Sequence, residues 1–204
     1  WSETLGYENI TRDELDLGLG IIQDETERLI KLVEELLDFS RLSSDRIRLQ
    51  VDIVDVEALA KGVVNQLKVK AIENNIKLLS KFEVADLNPI QGDKNRLRQV
   101  LINLIQNAIK FTPPEGEIDV IVSQDEEFTT IKVKDTGSGI KKENLEKVLD
   151  KFFQEDINKS GSGLGLAISN EIVKLHGGKM KIESEKDVGT TITFTLKNKI
   201  LESI

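Results

Sequence analysis

Apolar residues recur at helical spacing near the start of the chain, over residues 15–42. The stripe has members seven residues apart and two that broaden it: Leu15, Ile22, Leu29 and Leu36, with Val33 and Phe39. This spacing predicts a long amphipathic helix. A helix that faces a core and a helix of a dimeric bundle can both carry such a stripe, since a seven-residue repeat keeps one seam towards a partner. The periodicity alone favours neither.

The segments on either side of this helix predict its ends. Polar residues 8–13 indicate a turn after an earlier helix within residues 1–7, so the two helices form the end of a hairpin. Ser43-Ser44-Asp45 interrupts the pattern, and residues 47–51 alternate as a strand would. We therefore expect a domain boundary here, with residues 1–44 as the truncated hairpin and residues 45–204 as a second domain.

Helical and strand-like patterns alternate over the rest of the chain. Strand-like alternation covers residues 76–82, 118–123, 129–134, 179–184 and 190–196, and helical spacing covers residues 56–74, 94–111, 142–153 and 164–175. Asp93 is the expected N-cap of the second of these helices, which ends at Thr112-Pro113-Pro114. Paired strands between helices, without regular βαβ units, predict an α+β fold: a two-layer α/β sandwich with a mixed, mainly antiparallel sheet.

The composition excludes several classes of protein. A net charge of -8 and no Lys/Arg stripe argue against nucleic-acid binding. With no cysteine, disulfides, thiolate zinc sites and cysteine nucleophiles are excluded. No apolar run of about 18 residues occurs, so no membrane span is expected in this chain. Since the chain begins at Trp1 without a signal-like region, we expect a piece of a longer protein with any membrane anchor upstream. The absence of cysteine favours the cytoplasm.

One edge of the helix at 94–111 carries residues that suit a metal and phosphates. Gln99, Asn103, Asn107 and Lys110 follow at steps of four, four and three, beside an apolar face of Leu97, Val100, Leu101, Leu104, Ile105, Ala108 and Ile109. A solvated face would usually carry charged residues rather than asparagine. Amide oxygens, phosphates and water suit Mg²⁺, and a lysine offsets phosphate charge.

Two glycine-rich segments follow. The first is Asp135-Thr136-Gly137-Ser138-Gly139-Ile140, for which a tight turn is the simple explanation. In the functional explanation, Asp135 accepts a hydrogen bond from the exocyclic amine of a purine, and the glycines let the backbone approach the base. Gly161-Ser162-Gly163-Leu164-Gly165-Leu166 opens a helix, where free N–H groups favour phosphate. Its spacing differs from dinucleotide and Walker loops.

Three further features adjoin these segments. Residues 154–160 could close over a nucleotide as a lid, with Lys159 available to phosphate. Phe152 and Phe153 are either core residues or the seat of that lid, and the core is favoured. His176, the single histidine, ends a helix before a glycine cap, which indicates a structural role.

Together these motifs resemble the catalytic domain of sensor histidine kinases, whose ATPase superfamily includes DNA gyrase, the heat-shock chaperone of ninety kilodaltons and mismatch-repair ATPases. Residues 99–113 resemble the N box, 135–140 and 161–168 the two glycine boxes, and 151–154 the F box. Gly189-Thr190-Thr191 resembles the last small glycine motif. Motifs in this order are far more specific than any one alone.

The resemblance extends to the first helix. Residues 25–42 are similar to the second helix of the dimerisation and phosphoacceptor hairpin, and residues 47–51 to the linker strand. In the family the phosphorylated histidine lies on the first helix, before a segment that resembles Trp1–Leu5, so we expect it to be absent here. The resemblance implies a homodimer through the hairpin, with the chain's own phosphoacceptor helix and a response regulator receiver domain as partners.

The resemblance also implies roles for individual residues. Asn103 and Asn107 would serve Mg²⁺ and phosphate, Lys110 would contact phosphate and Asp135 would read adenine of ATP or ADP. The other implied nucleotide-binding residues are Phe111, Gly137, Gly139, Ile140, Phe153, Lys159, Gly161, Ser162, Gly163, Leu164, Gly165, Leu166 and Thr191. The implied reaction is transfer of the γ-phosphoryl of ATP to a histidine nitrogen, and this chain alone should not phosphorylate itself.

Two other functions stay open. One is a nucleotide-holding docking module without transfer activity, although the residues needed for the nucleotide site are all present. The other is a different ATPase of the same fold, such as a serine-specific anti-sigma kinase or a hydrolytic chaperone domain. Those proteins would lack the helix predicted at residues 15–42.

Overall fold

A computed structural model describes residues 11–42, 48–84, 86–154 and 162–198. The elements are, in chain order, α1 (Arg12–Leu42), β1 (Asp52–Val54), α2 (Val56–Glu73), β2 (Lys77–Phe82), β3 (Ile90–Gly92), α3 (Lys94–Phe111), β4 (Glu117–Gln124), β5 (Phe128–Asp135), α4 (Gly165–Leu175), β6 (Lys179–Glu185) and β7 (Gly189–Lys197). The predictions made for residues 1–7, for Ser43-Ser44-Asp45 and for Ile47 lie outside the described residues.

The main sheet has five strands in the order β2-β4-β5-β7-β6. β2 is parallel to β4, and the three other pairs are antiparallel. β1 and β3 form a separate antiparallel pair. The predicted α+β fold with a mixed, mainly antiparallel sheet is therefore confirmed.

Helices α2, α3 and α4 cover one face of this sheet. Ile118, Val120 and Val122 of β4 are fully buried against them, in step with the two-residue period of a strand. Burial of each such side chain contributes roughly 1.5–3 kcal/mol. The alternate residues stay partly exposed on the other face, as Thr191 and Thr193 do on β7. The result is the predicted two-layer sandwich.

The N-terminus of α3 is fixed by the side chain of Asp93. Its Oδ1 accepts hydrogen bonds from the backbone N–H groups of Asn95 and Arg96, both at 3.1 Å, as predicted for an N-cap. Its Oδ2 accepts from the backbone N–H of Gln50 at 2.9 Å, which ties the segment after α1 to the same point. The predicted apolar face of α3 is the face that is buried.

Two of the predicted elements are wrong. Residues 142–153 form a short 3-10 helix, Lys142–Asn144, followed by turns, and only Val148 is buried within them, so no continuous core face supports a longer helix. Phe152 is 59% exposed with a φ of 62°, so it is not a core residue. The linker strand begins at Asp52 rather than at residue 47. β3, of three residues, was too short to show an alternation.

The apolar stripe of α1 does not face the core. Leu29 is 57% exposed and Leu36 is 44% exposed, so the core-facing alternative for this helix is wrong. Glu35 and Asp38 are half-buried instead, against the rest of the chain. Of the helices that the structure describes, none is apolar enough over a sufficient length to cross a membrane.

Candidate functional site

A cleft of about 1340 Å³ lies beside α3, β5, β7 and the start of α4. Such a volume can hold a nucleoside triphosphate. The predicted site residues that line it are Asn103, Asn107, Lys110, Phe111, Asp135, Gly139, Ile140, Phe153, Ser162, Gly163, Gly165 and Leu166. Lys159 and Gly161 lie outside the described residues. The structure thus brings most of the predicted residues together, and their roles in binding stay predictions.

Asp135 ends β5 and points into this cleft with 8% of its surface exposed. Its Oδ1 accepts hydrogen bonds from the backbone N–H groups of Gly137 at 2.8 Å and Thr190 at 3.2 Å. Burial raises the pKa of Asp135, and these two hydrogen bonds oppose the rise. Within the described part of the chain, both hydrogen bonds to the Asp135 carboxylate reach Oδ1. Oδ2 is therefore available to accept a hydrogen bond from a ligand.

The two glycines after Asp135 close a turn rather than leave room for a base. A Cβ on Gly139 would lie 1.9 Å from the carbonyl oxygen of Glu185, and its φ is 61°. A Cβ on Gly137 would lie 2.7 Å from both Oδ1 of Asp135 and the carbonyl oxygen of Phe111. Gly137 does not line the cleft. These glycines therefore position Asp135, which differs from the predicted approach of backbone to base.

The polar edge of α3 serves two different purposes. Gln99 donates to Asp38 of α1 at 2.8 Å, and Nδ2 of Asn103 donates to Oγ of Ser169 on α4 at 2.9 Å. One turn further on, the half-buried side chain of Asn107 lines the cleft and has no recorded hydrogen bond to the other described residues. Lys110 follows, with its Nζ 4.7 Å from the ring centroid of Phe111. The polar edge of α3 thus contacts α1 and α4 in its first part and faces the cleft in its last turn.

The glycine-rich segment packs tightly before α4. A Cβ on Gly163, whose φ is 70°, would lie 2.6 Å from the backbone of Phe152, and one on Gly165 would lie 2.3 Å from Oδ1 of Asn103. Leu164 was predicted to line the nucleotide site, but its side chain is fully buried in the core and anchors the segment instead. Oγ of Ser162 accepts from the backbone N–H of Leu164 at 3.0 Å.

Thr191 was also predicted to line the site, and the structure places its neighbour there instead. Successive residues of β7 point to opposite faces of the sheet, so Thr190 and Ile192 face the cleft while Thr191 faces away. The backbone N–H of Thr190 is one of the two groups that donate to Asp135. The small glycine motif therefore lines the cleft through Thr190 rather than through Thr191.

His176 is held in the fold by both ring nitrogens. Its Nδ1–H donates to the carbonyl oxygen of Ile172 at 2.8 Å, and its Nε2 accepts from the backbone N–H of Asp93 at 2.9 Å. Burial lowers the pKa of His176, while the bond to Ile172 and the Asp93 carboxylate act in the opposite direction. These contacts agree with the predicted structural role.

Several residues of the site carried no clear signal in the sequence. Glu35 accepts a hydrogen bond from Ser162, and Arg96 pairs with Asp38; both contacts join distant segments, which local periodicity cannot show. Ser169 did leave a signal, since it is a polar residue within the apolar stripe of α4 and is only 1% exposed. A polar residue on a buried face needs a hydrogen-bond partner, here Asn103.

The sequence matches the family described as "Histidine kinase-, DNA gyrase B-, and HSP90-like ATPase" over residues 92–200. The chain is 35% identical over 187 residues to sensor histidine kinase WalK of Bacillus subtilis, covering 89% of this chain and 30% of that protein. It is 35% identical over 185 residues to circadian input-output histidine kinase CikA of Synechococcus elongatus, covering 88% and 24%. The chain thus spans less than a third of these relatives.

Solved structures share the fold. Full-length ShkA in complex with AMPPNP superposes with a TM-score of 0.83 at 28% identity, covering 95% of this chain and 41% of that one. Histidine kinase ThkA, in complex with response regulator protein TrrA, superposes with a TM-score of 0.77 at 28% identity, covering 93% and 53%. Both superpositions cover more than nine tenths of this chain, which is more than the part that follows α1.

Proposed function

This chain belongs to the histidine kinase-, DNA gyrase B- and HSP90-like ATPase family, and we propose that it is the ATP-binding catalytic part of a sensor histidine kinase. The observation that carries the proposal is that Asp135 and Asn107 line one cleft. One presents a carboxylate oxygen, and the other presents a side-chain amide without a recorded partner among the described residues. α1 favours a kinase over other members of the family, because the solved kinase structures superpose on almost the whole chain.

Asp135 is suited to recognise adenine. Its Oδ1 is fixed by backbone N–H groups, so Oδ2 is held in one place to accept a hydrogen bond from the exocyclic amine. Guanine presents a carbonyl at the corresponding position and would leave the buried carboxylate facing an acceptor. The site should therefore prefer ATP and ADP over the guanine nucleotides.

The residues at the end of α3 fit a magnesium nucleotide. Mg²⁺ prefers oxygen ligands and keeps several waters, so the amide oxygen of Asn107, phosphate oxygens and water suit it. Asn103 is the second proposed ligand, but its Nδ2 is held by Ser169, so only Oδ1 is available to the ion. When bound, the ion neutralises charge on the transferring phosphoryl group. Lys110, exposed beside Phe111, supplies a further positive charge.

In the proposed reaction a histidine nitrogen attacks the γ-phosphorus of ATP, the bond to the bridging oxygen breaks, and ADP leaves. The imidazole loses its N–H proton as the new bond forms. The protein's part is alignment and charge stabilisation, because phosphoryl transfer requires little covalent help from side chains. The fixed carboxylate of Asp135 would set the position of the base, and Asn107 and Lys110 that of the phosphates.

The remaining partners follow from the same proposal. The exposed apolar stripe on α1 would pair with a second copy in a homodimeric hairpin bundle. The acceptor histidine would lie on the other hairpin helix, and a response regulator receiver domain would take the phosphoryl group, as the pairing of ThkA with TrrA suggests. The whole protein would be a membrane-anchored sensor with this part in the cytoplasm, and no contact with nucleic acid is proposed.

Titration calorimetry with ATP, ADP and GTP, each with and without Mg²⁺, tests the proposal. We expect binding of ATP and ADP that strengthens with Mg²⁺, and much weaker binding of GTP. A chain that binds none of the three, or binds GTP as well as ATP, would contradict it.

A further inference from the structure

Near its C-terminal end, α1 contacts the rest of the chain through acidic rather than apolar side chains. Within the stretch 32–38 of this helix, Glu35 and Asp38 are half-buried, whereas Leu36 is 44% and Leu37 is 52% exposed. Oδ2 of Asp38 accepts hydrogen bonds from Arg96 at 2.7 Å and Gln99 at 2.8 Å, both on α3. Polar contacts therefore dock α1 at this point.

Glu35, one turn before Asp38, reaches a different part of the chain. Its Oε2 accepts a hydrogen bond from Oγ of Ser162, whose oxygen also accepts from the backbone N–H of Leu164. Ser162 and Leu164 immediately precede α4, which begins at Gly165 and runs for 11 residues. A carboxylate thus lies at the positive end of this helix, which is where an anion is stabilised.

We propose that Glu35 acts as an internal anion at the start of α4, so that docking of α1 and binding of nucleotide phosphates oppose each other. This inference rests on the proposed function, which places the phosphates at the same glycine-rich segment. Glu35, Ser162, Gly163 and Gly165 all line the cleft. A carboxylate and a triphosphate that contact the same segment repel each other, so the two cannot occupy it together without cost.

The opposition acts in both directions. If docked α1 lowers the affinity for ATP, bound ATP must loosen α1 by the same factor. The Asp38 contact lies on α3 and does not involve Ser162, so displacement of Glu35 would leave α1 held at fewer points and able to shift against the rest of the chain. Nucleotide occupancy would then be transmitted to the hairpin helix through one glutamate.

Calorimetry with Mg-ATP on the whole chain and on Glu35→Gln tests the inference. Removal of the charge should tighten binding roughly fivefold at low salt, a size typical of one partly exposed charge contact, and the gain should shrink as salt rises. Asp16→Asn, an exposed acid near the start of the same helix, is the matched control and should bind as the wild type does. Equal or weaker binding by Glu35→Gln would overturn the inference.

The failures of the two proposals can be told apart. If the wild-type chain binds no ATP, the proposed function is wrong and the inference falls with it. If the wild type binds ATP and Glu35→Gln binds it no more tightly, only the inference is wrong.

A distance measurement gives an independent test, which the absence of cysteine makes simple. Spin labels at Asp16→Cys on α1 and Lys68→Cys on α2 report the position of α1, and labels at Lys68→Cys and Glu126→Cys report the second domain alone. All three positions are exposed. Mg-ATP should shift or broaden the first distance distribution and leave the second unchanged. An unchanged first distribution at saturating Mg-ATP would overturn the inference.

Discussion

Nδ2 of Asn103 donates a hydrogen bond to Oγ of Ser169 at 2.9 Å, and this bond joins α3 to α4 beside the cleft. Ser169 is 1% exposed, so its hydroxyl depends on a protein partner. Asn107, one turn further along α3, has no recorded side-chain hydrogen bond within the described part of the chain. The sequence predicts the same role for both asparagines, but we expect Asn103 to stabilise the fold and Asn107 to stabilise the bound ligand.

Alanine substitutions should separate the two roles. Asn103→Ala leaves the buried hydroxyl of Ser169 without its partner, so the free energy of unfolding should fall by roughly 1–3 kcal/mol. Asn107→Ala removes no hydrogen bond recorded in the fold and should change that free energy by less than about 0.5 kcal/mol. Urea denaturation of the nucleotide-free chain measures both values. A large loss of stability in Asn107→Ala alone would reverse the assignment.

Asn107→Ala should instead weaken the binding of Mg-ATP while binding of ATP without Mg²⁺ changes little, because the amide oxygen is the proposed ligand of the ion. Calorimetry in the presence and absence of Mg²⁺ separates the two effects. If the folded variant keeps the affinity and the Mg²⁺ dependence of the wild type, Asn107 is not a metal ligand.

Asp135→Asn should weaken ATP binding without loss of stability. The asparagine oxygen can still accept from Gly137 and Thr190, but an NH2 group replaces the oxygen that faces the cleft. We expect a loss of roughly 1–3 kcal/mol in the binding free energy of ATP.

The pH dependence supplies the control for this variant. Burial raises the pKa of Asp135 above its ordinary value of 3.8, so the folded state loses stability as the pH rises above 3.8, and the full cost of the ionised carboxylate is present above the raised pKa. Asparagine removes this cost, so at neutral pH Asp135→Asn should be as stable as the wild type or more stable. A variant that binds ATP normally, or that unfolds at neutral pH, would contradict this account of Asp135.

Gly165→Ala tests the packing between α4 and α3. The added Cβ would lie 2.3 Å from Oδ1 of Asn103, so the variant should lose both stability and affinity for ATP. Gly62→Ala on α2 is the matched control, because its Cβ meets nothing within 4 Å and alanine is the better helix former, which should raise stability by roughly 0.5–1 kcal/mol. Thermal denaturation compares them. If the two substitutions changed stability equally, the contact of residue 165 with Asn103 would not matter for stability.

His176 should make stability depend on pH. Burial lowers its pKa below the ordinary value of 6.5, so the unfolded chain takes up a proton at a higher pH than the folded one does. The stabilisation is present above about pH 6.5 and is lost as the pH falls from there through the folded pKa. His176→Gln removes this titration, and the difference in unfolding free energy between the two proteins should shrink on acidification. A difference that is constant from pH 7.5 to 5 would contradict the assignment.

Much of this fold could be predicted because the strands and helices have one buried face. The alternation at β4, β5 and β7 and the stripe on α3 follow directly from that burial, and the Asp93 cap follows from local chemistry. The predicted helix at 142–153 failed because Val148 is its only buried side chain, so periodic apolar residues there had no surface to cover.

The sequence could predict most of the residues that line the cleft, but it could not predict the contacts between them. Residue types indicated that Asp135, Asn103 and Asn107 serve one ligand, whereas the fold decides that Asn103 also holds α4. At Gly137 and Gly139 the space for a Cβ is taken by protein atoms, which differs from the predicted approach of backbone to base, and of these two glycines only Gly139 lines the cleft. The prediction of Thr191 was displaced by one residue from Thr190, because only the pairing of β7 with β5 determines which threonine lies beside Asp135.

Transfer of labelled phosphate tests the central claim most directly. The chain is incubated with γ-labelled ATP and Mg²⁺, alone and with a separate hairpin that carries an acceptor histidine. We predict acid-labile label on the histidine of the added hairpin, lost with Asn107→Ala, and no label on this chain, where His176 is held by Ile172 and Asp93. Release of free phosphate without transfer to the hairpin, or label on this chain that disappears in His176→Gln, would contradict the account.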